Sequence, residues 1–148
     1  MKLLRVILML GAAALLAATM RADEAVWLTD YQAAANQAAA EGKPLLLDFT
    51  GSDWCPWCIK LDKDVYSQPK FVTYARQHLV LVKIDFPRQT PLSAAEKRQN
   101  RDLAKKYGVR GYPTSIVLDP QGNKLGEHVG YMRGGPDAYI AWLQSLSK

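Results

Sequence analysis

The 148-residue sequence holds two cysteines, separated by two residues in Trp54-Cys55-Pro56-Trp57-Cys58. At the start of a helix, thiols at that spacing can close to a disulfide and reopen repeatedly with modest strain. Pro56 suits the first helical position, which leaves Cys55 among free backbone amides at the positive end of the helix dipole. The dipole alone stabilises a thiolate there by about 0.3–1 kcal/mol, where about 1.4 kcal/mol equals one pKa unit. Cys55, facing solvent, is the expected nucleophile. Cys58, covered by the helix, is the expected resolving thiol that attacks a mixed disulfide.

Other uses of a cysteine pair fit less well. Tetrahedral zinc takes four ligands, and His78 and His128 lie too far apart in sequence to form the usual close pair, so no metal site is expected. Haem attachment needs a His directly after the second Cys, where Ile59 stands. A structural staple closing so short a loop removes little entropy from the unfolded chain.

Three further features bear on the dithiol. Asp48 interrupts the apolar run Leu45-Leu46-Leu47-Asp48-Phe49, and a buried, unpaired carboxylate costs several kcal/mol. Either it is a proton relay that accepts the proton of Cys58, or it is an Asp near a strand end satisfied by the following turn. Pro113, in Gly111-Tyr112-Pro113-Thr114, opens a strand without a donor to give; prolines in that place often follow a cis bond. If Pro113 lies against the cysteines, the Tyr112 backbone can pair with an extended substrate. Trp54, Pro56, Trp57 and Tyr112 would then ring the dithiol with apolar surface for polypeptide, with core packing the alternative for Trp54. Gly130 either permits close approach of a substrate backbone or serves only its loop. His78 and His128 read as structural or surface residues.

These residues need elements to hold them. Thr29 or Asp30 caps a helix running to Glu41, stopped by Gly42 and Pro44. Leu45 to Phe49 is a buried strand, and 51–53 turns into a helix from Pro56 to about Asp64. A short helix over 70–77 leads to a strand over 79–85, a loop over 86–91, and a charged helix over 93–107 ended by Gly108. Strands over 115–118 and 124–129 pair through the turn Asp119-Pro120-Gln121-Gly122, and a last helix covers 136–146. That order predicts an α/β fold, with a mixed central sheet flanked by helices on both faces.

Residues 1–22 read as a secretory signal peptide: Lys2 and Arg5 precede an apolar run of about 13 residues, against about 20 for a bilayer-spanning helix. No stable membrane anchor is expected after cleavage, and residues 23–148 are expected to form one domain. Without Lys2, Arg5 and Arg21, the 19 basic residues fall to 16 against 14 acidic ones. So small an excess, scattered along the chain, gives no support for a nucleic-acid partner.

From Leu28 to Leu146 the sequence resembles the thioredoxin superfamily. The resemblance rests on Leu47-Asp48-Phe49, on Trp54-Cys55-Pro56-Trp57-Cys58, and on Lys106-Tyr107-Gly108-Val109-Arg110-Gly111-Tyr112-Pro113-Thr114. It implies a thioredoxin fold with Cys55 as nucleophile, Cys58 as resolving thiol, Asp48 as the buried acid and Pro113 as a cis-proline. Gly51-Ser52-Asp53 resembles exported thioredoxin-like proteins of reducing disulfide relays. Pro56-Trp57 is more like glutaredoxins and strong periplasmic oxidants, and Arg110-Gly111-Tyr112-Pro113-Thr114 is like protein disulfide isomerase. The turn between Asp48 and Cys55 is one residue longer than in ordinary thioredoxins. Where those often carry a partly buried Lys on the next strand, this sequence places Leu81.

The expected function is thiol–disulfide exchange with protein substrates, as a reductase or isomerase in the periplasm or secreted, acting as a monomer without metal or organic cofactor. Its partners would be protein thiols and disulfides and a redox partner protein. The alternatives are a disulfide oxidase of the same fold, and a non-catalytic thioredoxin-fold module that holds polypeptide.

Overall fold

The computed structural model describes residues 25–146, so the expected signal segment over 1–22 lies outside the described residues. The chain order is β1 (Trp27–Leu28), α1 (Tyr31–Glu41), β2 (Leu45–Thr50), α2 (Pro56–Leu61), a π-helical turn (Asp62–Tyr66), α3 (Pro69–His78), β3 (Val80–Asp85), α4 (Ala94–Tyr107), β4 (Thr114–Leu118), β5 (Lys124–Val129) and α5 (Gly135–Ser145). The five strands form one mixed sheet in the order β1-β3-β2-β4-β5. β3 runs parallel to β1 and β2, whereas β4 runs antiparallel to β2 and β5.

Helix ends follow local chemistry. The Asp30 carboxylate accepts from the Ala33 N–H at 2.9 Å, and Gly42 closes α1 at φ +62°, a left-handed conformation that costs glycine little. In α4, Ser93 and Glu96 accept each other's backbone N–H groups in a capping box.

Side-chain alternation along β2 sorts the core into two layers. Leu45, Leu47 and Phe49 face α1 and α4, packing with Ala34, Ala38 and Leu103. Leu46 faces the other side, packing with Leu61 of α2, Val65 and Tyr66 of the π turn, Phe71 of α3 and Tyr139 of α5. Helices thus cover both faces, as expected of this fold class. Asp48 shares the Leu46 face, beneath α2, and the loop after β2 carries the chain from there to Cys55.

The two-residue edge strand β1 was not expected: Trp27 and Leu28 pair with Leu81 and Val82, too short a run to show any period. The helix expected to about Asp64 is α2 continued into the π turn. Among the described residues no helix is long and apolar enough to cross a membrane.

Candidate active site

Gly51 makes the turn that delivers the dithiol. Its carbonyl accepts from the N–H groups of Trp54 (3.2 Å) and Cys55 (2.9 Å), and the Trp54 indole folds back over it. A Cβ at Gly51 would lie 2.5 Å from the indole, so any larger residue would displace Trp54. Cys55 is the N-cap of α2, and its Sγ accepts from the Cys58 N–H at 3.3 Å. Cys55 and Cys58 are joined by a disulfide, with Cα atoms 5.2 Å apart. Cys55 is only 5% exposed and Cys58 4%. The expectation that Cys55 faces solvent is therefore corrected for this oxidised state: the cap geometry turns its sulfur inward toward the helix, while Pro56 and Trp57 are exposed.

One rim of the site is built by Ser52, which binds the last residue of β3, and by Asp53 and Trp54, which bind the loop after it. Ser52 donates to the Asp85 carboxylate through both N–H and Oγ. The Asp53 carboxylate accepts the N–H groups of Arg88 (2.9 Å), Gln89 (2.8 Å) and Thr90 (2.9 Å), which hold it below its ordinary pKa. Trp54 Nε1 donates to the Phe86 carbonyl at 2.7 Å. Tyr112 stands edge-on to Trp54, with ring centroids 6.0 Å apart, and packs on Phe86 at 5.1 Å. The Arg88 guanidinium lies 3.8 Å from the Trp54 ring centroid on top of this stack, a close cation–π contact.

A second aromatic pair stands at Trp57. Its ring, 55% exposed, packs against Tyr131 at 5.7 Å. Tyr131 is fixed by donating to Asp64 Oδ2 at 2.7 Å, and Lys60, paired with the same carboxylate, sits over the Tyr131 ring. Trp57 is thus braced from the loop after β5.

The Tyr112–Pro113 peptide is cis, and the Pro113 carbonyl accepts from the Gly130 N–H at 2.8 Å. Gly130 has φ +90°, and a Cβ there would meet nothing within 4 Å. Backbone conformation accounts for this glycine, and the space around it is open.

Asp48 is 3% exposed, and its Oδ1 has no hydrogen-bond partner. Burial pushes its pKa up to about 7; Lys83 opposes the rise, and Asp62 and Asp85 add to it. Asp62 lies one helical turn beyond Cys58, which places Asp48 under the helix that carries the resolving position. The reading of Asp48 as satisfied by the following turn therefore fails at Oδ1. The strand register also corrects the lysine expectation. Leu81 pairs with Leu46, two residues away along the same face, and it is Lys83 that stands beside Asp48.

Across β4, Ser115 pairs with Asp48 and leads into a buried triangle of hydroxyls. Tyr139 donates to Ser115 at 2.7 Å, and the Tyr66 hydroxyl lies 3.1 Å from Ser115 and 2.9 Å from that of Tyr139. Burial first, and then in part the charge of Asp48, raises both tyrosines well above the usual range.

Of the site residues expected from sequence, Trp54, Pro56 and Trp57 adjoin Cys55 and Cys58 in the chain, Tyr112 meets Trp54 edge-on, Pro113 follows Tyr112 through the cis peptide, and Asp48 is buried in β2 on the face that α2 covers. Gly130 joins through its bond to Pro113. His78 stacks on Tyr74, and His128 packs against Trp142, with its Nε2 unpartnered. Phe86, Arg88, Tyr131 and Lys83 were missed. Alternation in β3 puts Leu81, Lys83 and Asp85 on one face and could have found Lys83; nothing local marks the other three.

A family model described as a thioredoxin-like domain matches residues 31–147. The disulfide bond reductase DsbH of Chlamydia pneumoniae is 34% identical over 118 residues, covering 80% of this chain and 70% of that protein. The thiol:disulfide interchange protein DsbD of Cronobacter sakazakii is 38% identical over 97 residues; the match covers 64% of this chain but only 15% of that longer protein. The solved structure of a DsbH oxidoreductase superposes with a TM-score of 0.78 at 32% identity, covering 83% of this chain and 84% of that one.

Proposed function

The chain belongs to the thioredoxin-like domain family and is a thiol–disulfide oxidoreductase with its Cys-x-x-Cys pair at Cys55 and Cys58; from that premise we propose that it works reductively on disulfides of other proteins, in an exported compartment. The observation that carries this reading is the dithiol itself, capping α2 with Cys55 Sγ on the Cys58 N–H and set between two aromatic stacks. The leader-like sequence over 1–22 supports export, and the name of the DsbH relative supports the reductive direction.

In the reduced protein, the Cys55 thiolate attacks one sulfur of a partner disulfide. A Cys55–partner disulfide forms and the partner's other sulfur leaves as thiolate. Cys58 loses its proton to Asp48 and attacks Cys55 Sγ, which releases the second partner thiol and closes the Cys55–Cys58 disulfide. Two electrons pass from the dithiol to the partner, and a second redox protein must return them. Isomerisation begins with the same attack and ends when a partner thiol, rather than Cys58, displaces Cys55. Trp54, Trp57, Tyr112, Pro113 and the open space at Gly130 receive the partner chain, Tyr112 by pairing its backbone with an extended segment. The protein acts as a monomer.

Mixed-disulfide trapping tests the assignment of roles. Reduced Cys58→Ser protein should hold a protein disulfide substrate on Cys55, in an adduct that dithiothreitol releases, while Cys55→Ser should hold none. Accumulation on Cys58 in the Cys55→Ser variant, at the rate seen on Cys55, would reverse the roles.

A further inference from the structure

We propose that the corner formed by the β3–α4 loop and the first turns of α4 is a docking surface for an acidic stretch of the partner polypeptide, next to the disulfide being exchanged. The proposal rests on the exchange function above and assigns the partner a chemistry.

The loop is a rigid extension of the active site. Ser52, Asp53 and Trp54 fasten residues 85–90 to the turn that carries Cys55. Apolar surface continues from Pro113 through Tyr112 to Phe86. Beyond Phe86 opens a cleft of about 190 Å³ with an apolar floor of Phe86, Pro87 and Leu92, Lys97 and Arg101 on its walls, and Asp85, Thr90 and Asn100 completing the lining. Arg88, exposed over Trp54, stands between the cleft and the dithiol turn.

Three cations, Arg88, Lys97 and Arg101, and three carboxylates, Asp53, Asp85 and Glu96, share this path, but they differ in what they bind. Among the described residues none of Arg88, Lys97 and Arg101 is ion-paired, whereas the acids nearby are occupied. Asp53 caps three backbone amides, Asp85 accepts twice from Ser52, and Glu96 closes the capping box of α4. A cleft with an apolar floor and two unpaired cations on its wall, joined to the Cys55 turn through Phe86, Tyr112 and Trp54, fits an extended chain with Asp or Glu near its cysteine. Arg88 reaches the residues closest to the sulfur and can bind a carboxylate in two-point fashion. Lys97 and Arg101, four residues apart, share one side of α4 and meet residues further along.

The test uses the reduced full-length protein and two disulfide-bonded peptides that differ only in flanks of Asp and Glu or of Lys and Arg, with hydroxyethyl disulfide as a neutral substrate. The second-order rate should favour the acidic peptide by about tenfold at low salt and fall toward parity near 0.5 M. Lys97→Glu/Arg101→Glu should abolish or invert the preference, and Arg88→Ala should weaken it. Lys43→Glu/Lys124→Glu carries the same net-charge change at the opposite end of the sheet and should preserve it. Equal rates for both peptides with wild-type protein, or a preference unchanged in Lys97→Glu/Arg101→Glu, would overturn the proposal. No exchange with hydroxyethyl disulfide would instead refute the exchange function on which it rests, so the two failures are distinguishable.

Discussion

Asp48 and Lys83 stand side by side in the parallel register of β2 and β3, on the sheet face that α2 covers. The carboxylate is buried and has one oxygen unpartnered, while the lysine is half-buried and places its ammonium over the Trp27 ring at 5.6 Å. Desolvation drives Asp48 toward its neutral form and Lys83 pulls it back, leaving its pKa at about 7. A carboxyl with that pKa can exchange a proton at neutral pH, as the proposed relay from Cys58 requires.

Asp48→Asn should therefore slow resolution of the mixed disulfide by about a hundredfold near pH 7 while sparing the first attack by Cys55. Rapid-mixing kinetics of the two steps across pH 5–9 separate them. The resolution step in the wild type should rise through an inflection near 7 that Asp48→Asn lacks. Lys83→Met should move that inflection to higher pH, because the charge that lowers the Asp48 pKa is gone.

The same shift governs stability. In the folded protein Asp48 keeps its proton up to about pH 7, whereas in the unfolded chain it has released it by about pH 4. The folded state thus binds more protons in that window, and its stability falls as pH rises from about 4 to 7. Asp48→Asn removes this loss, so the variant should gain on the wild type through the window, by a few kcal/mol on the order of magnitude at pH 8. Urea denaturation of both oxidised proteins at pH 4, 6 and 8 checks it; a constant difference would contradict the assignment.

The buried hydroxyl triangle gives a separate expectation. Tyr139→Phe leaves Ser115 without the donor at 2.7 Å and Tyr66 without its partner at 2.9 Å. Such a loss inside a core costs about 1–3 kcal/mol, readable as a lower denaturation midpoint at unchanged slope.

Pinning of the β3–α4 loop can be read by hydrogen exchange. Asp53→Ala removes the acceptor of the Arg88, Gln89 and Thr90 amides, and these three should lose protection while the strand amides of β3 keep theirs. In the wild type that protection should persist below the ordinary carboxylate range, because the Asp53 pKa is lowered by the same amides, and vanish at still lower pH.

Much of this architecture is written in short-range chemistry. Asp30 with Gly42, and Ser93 with Glu96 and Gly108, mark two helices because caps act within one turn of chain. The dithiol was legible for the same reason: Pro56 and the cysteine spacing are local. Lys83 was misplaced because register depends on which residues of two strands meet, and a shift of two residues along one face leaves the apolar pattern unchanged. The burial of Cys55 depends on the inward turn of a cap. The clamp from residues 52–54 to residues 85–90 and the brace of Tyr131 on Trp57 join residues distant in sequence, and no period or spacing encodes such contacts.

The proposed direction of electron flow makes Cys55 and Cys58 a reducing redox centre. Its most direct test is the equilibrium of that pair against graded glutathione buffers, read by alkylation of the free thiols. A reductant should hold its disulfide against glutathione, with a potential below about −250 mV; for two electrons about 30 mV is a tenfold change in the equilibrium constant. A potential above about −180 mV, in the range of isomerases and oxidants, would contradict the reductive direction.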